Sequence, residues 1–183
     1  MHEHILLCGK RRSGRSALIR TLLDGVRAPL CGYRTETRVT RPDGTHEIYL
    51  YPYQDDSGLL CPENHVGDCD TVHRTLYPQV FDTLGVHCLA QQPGTILVMD
   101  EIGFMERDAD FFSRAVLERM DGNMPLLAAV RTGMETPLLK KLLAHPRATV
   151  IEMRPERFDE LYHALRPIIL SWDRALTGNG DAS

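Results

Sequence analysis

Two short stretches of this sequence carry groups that could do chemistry together. In ILLCGKRRSGRSA (5–17), Gly9 and Gly14 bracket Lys10, Arg11, Arg12 and Ser13, and Arg15, Ser16 and Ala17 follow. The spacing is that of the phosphate-binding loop G-x-x-x-x-G-K-[ST], with arginine in the lysine position. In ILVMDE (96–101), an apolar run ends in Asp100 and Glu101. A glycine loop between a strand and a helix turns backbone N–H groups and the positive end of a helix dipole towards one point, which favours a polyphosphate. Gly9 permits the sharp exit from the strand, and Gly14 lets the backbone approach the phosphate. The segment Gly9–Ala17 is therefore the expected nucleotide-binding loop, with Ser16 and Asp100 as Mg²⁺ ligands and Glu101 orienting or deprotonating a water. Arg15 would have to serve the β- and γ-phosphates in place of lysine, with a planar fork instead of a compact ammonium. The plainer alternative is a strand-to-helix turn with solvated arginines, and two carboxylates capping a strand.

Such groups need a scaffold, and the flanking patterns supply one. HILLC (4–8), GTILVMDE (94–101), MPLLAAV (124–130) and ATVIEM (148–153) read as buried strands. Helical spacing follows in SALIRTLLDG, in DADFFSRAVLERMDG, in TPLLKKLLAH with Thr136 as N-cap and Pro137 at the first helical position, and in PERFDELYHALRPIILSW. Continuous apolar strands alternating with amphipathic helices predict an α/β fold, three αβα layers around a mostly parallel sheet. Two β-prone runs around Pro42-Asp43-Gly44 predict an inserted β-hairpin. Residues 55–70 read as loop, and 70–89 as a helix with apolar residues at 72, 76, 80 and 84 and a kink at Pro78. One domain is expected over 1–174, with a disordered tail over 175–183.

Bulk properties narrow the function classes. The chain has 183 residues, 43% hydrophobic and 25% charged, with a net charge of -4, which gives no reason to expect nucleic acid or an anionic membrane as partner. No apolar stretch approaches a bilayer span and no signal peptide is visible, so a cytoplasmic address is the expectation. The sequence leaves the oligomeric state open, with a monomer favoured. Five scattered cysteines without a C-x-x-C pair argue against a disulfide scaffold. Cys61, His65, Cys69 and His73 recur every fourth residue, which is either a metal site or ordinary loop and helix-start residues, and Pro62 and Gly67 oppose one helix aligning them.

At MDEIGFME the sequence resembles the P-loop nucleoside-triphosphatases, the family of the thermophilic bacterial enzymes and the human cancer-related nucleoside-triphosphatase. Its D-E-I-G-K-M-E matches Asp100, Glu101, Ile102, Gly103, Phe104, Met105 and Glu106. Its G-F-[YW]-T-E-E-V-R matches GYRTETRV (32–39), and its V-G-x-Y matches VGDC from Val66. The likeness runs in order from about residue 5 to 170, with ATVIEMRPERFDEL at its end. It implies a P-loop fold with Walker A and Walker B elements and slow Mg²⁺-dependent hydrolysis of nucleoside triphosphates (ATP, GTP) with broad base tolerance. It also brings Thr35, Glu36 and Arg38 to the pocket, or leaves them as hairpin structure. Three departures stand at or near that pocket: Arg15 and Phe104 replace lysines, and Cys69 replaces an aromatic residue.

Three functions remain in view. The first is a nucleoside-triphosphatase with Arg15 on the phosphates and Glu101 on water, which either hydrolyses poorly or has Arg11, Arg12 or Arg131 compensating for the lost lysines; Arg131 also reads as an exposed arginine after a strand. The second is a nucleotide-binding regulatory protein with negligible catalysis. The third is a small nucleotide kinase, against which no arginine-rich lid is visible. Glu106 reads as a helix cap or an arginine partner, and Trp172 and the methionines as packing.

Overall fold

The computed structural model describes residues 4–90 and 92–178. In chain order the elements are β1 (His4–Gly9), α1 (Arg15–Leu23), β2 (Leu30–Thr40), β3 (His46–Pro52), β4 (His65–Cys69), β5 (Arg74–Leu76), α2 (78–88), β6 (Ile96–Ile102), α3 (Asp110–Asp121), β7 (Leu126–Arg131), α4 (Pro137–Leu143), β8 (Ala148–Glu152) and α5 (Phe158–Thr177). The eight strands form one sheet in the order β5-β4-β3-β2-β6-β7-β1-β8. The pairs β2–β6, β6–β7, β7–β1 and β1–β8 are parallel, and β2–β3, β3–β4 and β4–β5 are antiparallel.

The parallel half follows from its apolar strands. Side chains of a strand alternate between the two faces, so a sheet covered on both sides needs unbroken hydrophobic runs. Leu6, Leu97, Met99 and Ala128 pack with Phe112, Val116 and Leu142 on one face. Ile5, Leu7, Val98 and Leu127 pack with Leu18, Ile19 and Leu22 of α1 and with Leu161, Leu165, Ile169 and Trp172 of α5 on the other. The three layers expected from the sequence are present. Asp173 of α5 accepts hydrogen bonds from the backbone N–H groups of Arg27 and Ala28, at 3.0 and 2.7 Å, which ties the end of α5 to the chain leaving α1. Among the described residues no helix is long and apolar enough to cross a membrane.

The antiparallel half is larger than the predicted hairpin. β2 and β3 form that hairpin, but β4 and β5 extend it, where loop was expected up to residue 70. Helix was expected from 70, yet 74–76 pair as strand with 67–69, and the helix begins at Pro78. Proline lacks the N–H that a helix interior requires but fits its first turn, so Pro78 starts α2 and does not kink it. The middle of α2 is π-helical over Phe81–Gly85. At the other end of the chain, α5 runs through Thr177, so 175–177 are helical and not tail. The remainder of the expected tail, at 179–183, lies outside the described residues.

Candidate active site

Parallel strands deliver their C-terminal ends to one edge of the sheet, and loops there can form a crevice. Gly9 at the end of β1 is level with Arg131 at the end of β7, and Asp100 of β6 is level with Ala129 of β7. The glycine loop and the Asp100-Glu101 pair therefore sit at the same edge of the sheet, on strand ends with β7 between them. Contact between them is direct: the Ser16 hydroxyl donates to Asp100 Oδ1 at 2.6 Å. The pairing of β6 with β7 shifts register between Asp100 and Ile102, which leaves Glu101 as the extra residue of a bulge. Such a bulge re-aims a side chain. Asp100 and Glu101 both line the same cleft.

The loop conformation depends on its glycines and one strained residue. Gly14 has φ 92° and stands as the N-cap of α1, a backbone state that costs a residue with Cβ. A Cβ at Gly9 would lie 2.6 Å from Ser13 Oγ and 2.8 Å from the Met153 carbonyl oxygen. Arg12 takes a positive φ of 62° without being glycine. Successive turns of this kind build an anion-binding concavity from main-chain N–H groups. The helix that follows has no side-chain cap and no acidic residue of its own in its first turn; the carboxylates that reach its start are Asp100, through Ser16, and Glu101, through Arg15.

Arg15 does not project freely over this loop. It is 4% exposed; Nε donates to Ser13 Oγ at 3.0 Å, and Nη2 donates to the Lys10 carbonyl at 3.1 Å. Nη2 also lies 3.0 Å from Glu101 Oε2, while buried Nη1 has no hydrogen-bond partner. Burial lowers the Arg15 pKa, opposed by Glu101 and then Asp100. Burial also raises that of Asp100, with the Ser16 hydrogen bond pulling the other way. Arg131 Nη1 stands 3.6 Å from Glu101 Oε1, so each oxygen of Glu101 faces a guanidinium. Beneath it, the fully buried Tyr33 hydroxyl donates to the Glu101 carbonyl at 3.3 Å.

Two clefts meet at the loop. The first, of about 420 Å³, has Arg11, Ser16, Asp100, Glu101 and Arg131 on one wall. Its other wall comes from the antiparallel half: Thr35, Thr37, His46, Cys69, Thr71 and Arg74. The second, of about 680 Å³, lies between Gly9–Ser13 and residues 152–156. Arg11 belongs to both. Of the expected binding segment, Gly14, Arg15 and Ala17 line neither cleft; Gly14 and Ala17 shape the loop exit and the first turn of α1.

Other expectations divide. Thr35 faces the first cleft, but Glu36 and Arg38 do not: Glu36 accepts hydrogen bonds from Arg34 at 2.6 Å and from Arg38 at 3.1 Å. Alternation along β2 sends 35 and 37 one way and 34, 36 and 38 the other, which would have flagged Thr37. Glu106 neither caps a helix nor meets an arginine. It is 1% exposed and accepts the Gly103 N–H at 2.5 Å, and burial pushes its pKa up to about 7. The four Cys and His residues have separate partners: Cys61 with Asn64, His65 stacked on Tyr49 at 4.7 Å, His73 beside Asp70, and Cys69 in the cleft wall. Among the described residues no three His, Cys, Asp or Glu side chains gather as metal ligands. Arg74 was not foreseen at all; it reaches the cleft through β5.

Comparison with known proteins bears on family and fold. A family model described as NTPase matches residues 4–166. No curated protein matches the sequence. The crystal structure of THEP1 from the hyperthermophile Aquifex aeolicus is similar, with a TM-score of 0.65 at 20% identity, over 88% of this chain and 96% of that one. The solution structure of a human cancer-related nucleoside triphosphatase gives 0.64 at 20% identity, over 92% and 98%. At such identity these two likenesses speak for the fold alone.

Proposed function

Because this chain belongs to the NTPase family, whose model spans residues 4–166, we propose that it binds Mg²⁺-complexed nucleoside triphosphates and hydrolyses them slowly to diphosphate and phosphate. The observation that carries the reading is the 2.6 Å contact between Ser16 and Asp100, which brings the loop and the acidic strand end into one crevice. The phosphates lie on the main-chain N–H groups of the loop and the open start of α1. Arg11, shared by both clefts, spans the path from nucleoside to terminal phosphate, with the nucleoside between the loop and 152–156. Ser16 and Asp100 offer hard oxygen donors within mutual reach, the donor type that suits Mg²⁺. When bound there, that ion neutralises charge on the β- and γ-phosphate oxygens.

Glu101 orients the attacking water and takes its proton. The water oxygen bonds to the γ-phosphorus while the bond from that phosphorus to the β–γ bridging oxygen breaks, and the electron pair leaves with the diphosphate. Arg15, beside Glu101 and within the loop, holds the carboxylate towards the crevice.

One observation favours a second reading, a binding protein with negligible turnover: both oxygens of Glu101 already face arginines, at 3.0 and 3.6 Å. Phosphate release from ATP, GTP, CTP and UTP, measured beside binding of the same nucleotides, separates the two. The hydrolase reading expects release with all four that stops when magnesium is chelated. Saturable binding with no release above the no-enzyme control would leave the binding reading.

A further inference from the structure

Phe104 carries no charge, yet it gathers two. The Arg74 guanidinium carbon lies 4.6 Å from the centre of its ring and that of Arg131 lies 5.2 Å from it. The ring is 4% exposed and so is fixed in place. The two arginines arrive from β5 and from the end of β7, which four strands separate in the sheet. Both line the first cleft beside Glu101.

Two like charges on one ring repel each other, and their counter-ions are unequal. Among the described residues no carboxylate forms an ion pair with Arg74, whose other side-chain contact is the Met134 sulfur at 3.5 Å. Arg131 has Glu101 at 3.6 Å, but Glu101 is shared with Arg15. An aromatic face holds a guanidinium without neutralising it. Asp70 lines the same cleft but is engaged by the backbone N–H groups of Val72 and His73 and by the His73 ring. At the ring, therefore, Glu101 is among the described residues the one carboxylate paired with these guanidiniums, whose planar forks suit a phosphate.

Resting on the nucleoside-triphosphatase reading above, we infer that Arg74 and Arg131, held by the ring of Phe104, receive the terminal phosphate of the bound nucleotide. In doing so Arg131 leaves Glu101, so that Glu101 is free to meet water only when a triphosphate is present. A diphosphate reaches the loop but not this pair, and Arg131 stays on the carboxylate. Arg74 and Arg131 touch the substrate; Phe104 is a positioning residue.

The test is equilibrium binding of ATP and ADP, both with magnesium, to wild type, Arg74→Ala/Arg131→Ala and Phe104→Leu, with melting curves for each. Wild type should prefer ATP over ADP by about tenfold or more, the size of a charge-assisted hydrogen bond. The double variant should lose most of that preference while its ADP affinity stays within about twofold. Phe104→Leu, which keeps an apolar side chain but removes the ring, should lose part of it. If the double variant melts early, Arg74→Ala alone, at an exposed position, decides by the same ratio. A double or single variant that keeps the wild-type ATP preference overturns the inference and leaves the hydrolase reading standing. So does a wild type that releases phosphate but binds ATP and ADP equally. A wild type that binds neither nucleotide removes both.

Discussion

The two walls of the first cleft are built in opposite ways. The near wall is one local stretch, 9–16, plus two strand ends brought level by parallel pairing. The far wall is assembled from β2, β3, β4 and β5, whose short antiparallel pairings bring Thr37, His46, Cys69 and Arg74 to the crevice. A local motif fixes where a nucleotide's phosphates can lie. A wall made by long-range pairing instead sets what meets the last of them, and it does so with charges that no short motif records.

Substitutions can separate these roles. Gly14→Ala places a Cβ on a residue at φ 92°, 3.2 Å from Met153 Cε. Left-handed backbone costs such a residue about 1–2 kcal/mol. Since the near wall serves every phosphate, affinity for ATP and ADP should fall together in titrations, by about tenfold from that same cost. Arg74→Ala, on the far wall, should weaken ATP alone; equal loss of both nucleotides would erase the contrast between the walls.

A smaller effect concerns stability. Glu106 underlies the turn that carries Phe104, and burial raises its pKa from 4.5 to about 7. The folded state thus holds this proton more tightly than the unfolded chain. Its contribution is fully present below about pH 4.5 and is lost as pH rises towards 7. Glu106→Gln keeps an oxygen to accept the Gly103 N–H and has no proton to lose. The fall in Tm between pH 5 and pH 8 should be smaller in this variant than in wild type. The difference is on the order of 2 kcal/mol, or about 4–8 °C. Identical falls would place the titrating group elsewhere.

The same contrast explains what the sequence disclosed. Runs such as ILLC and ILVM mark a sheet covered on both faces, because burial on both sides leaves no polar alternate positions. The loop spacing and Asp100-Glu101 were readable because each is contiguous. That Ser16 meets Asp100 follows from the loop after β1, which leads into α1, and the end of β6 lying at the same edge of one parallel sheet. What was misread lies on the far wall. HVGDC and RTL are too short and too polar to signal strands, so the sequence reads as loop and helix where β4 and β5 stand, and that reading hides Arg74. The engagement of Arg15 by Glu101 was also hidden, since the bulge that re-aims Glu101 is a property of two paired strands and not of either one. Glu36 and Arg38 were separable from Thr35 by alternation alone.

The central claim is that the glycine loop and Glu101 act on one substrate, the loop binding it and the carboxylate activating water. Phosphate release and ATP binding, measured in the same samples of wild type and Glu101→Gln with magnesium, address it most directly. The account predicts release reduced by about 100-fold or more, the usual contribution of a general base, with ATP still bound within a few fold of wild type. Release by Glu101→Gln at the wild-type rate would contradict it.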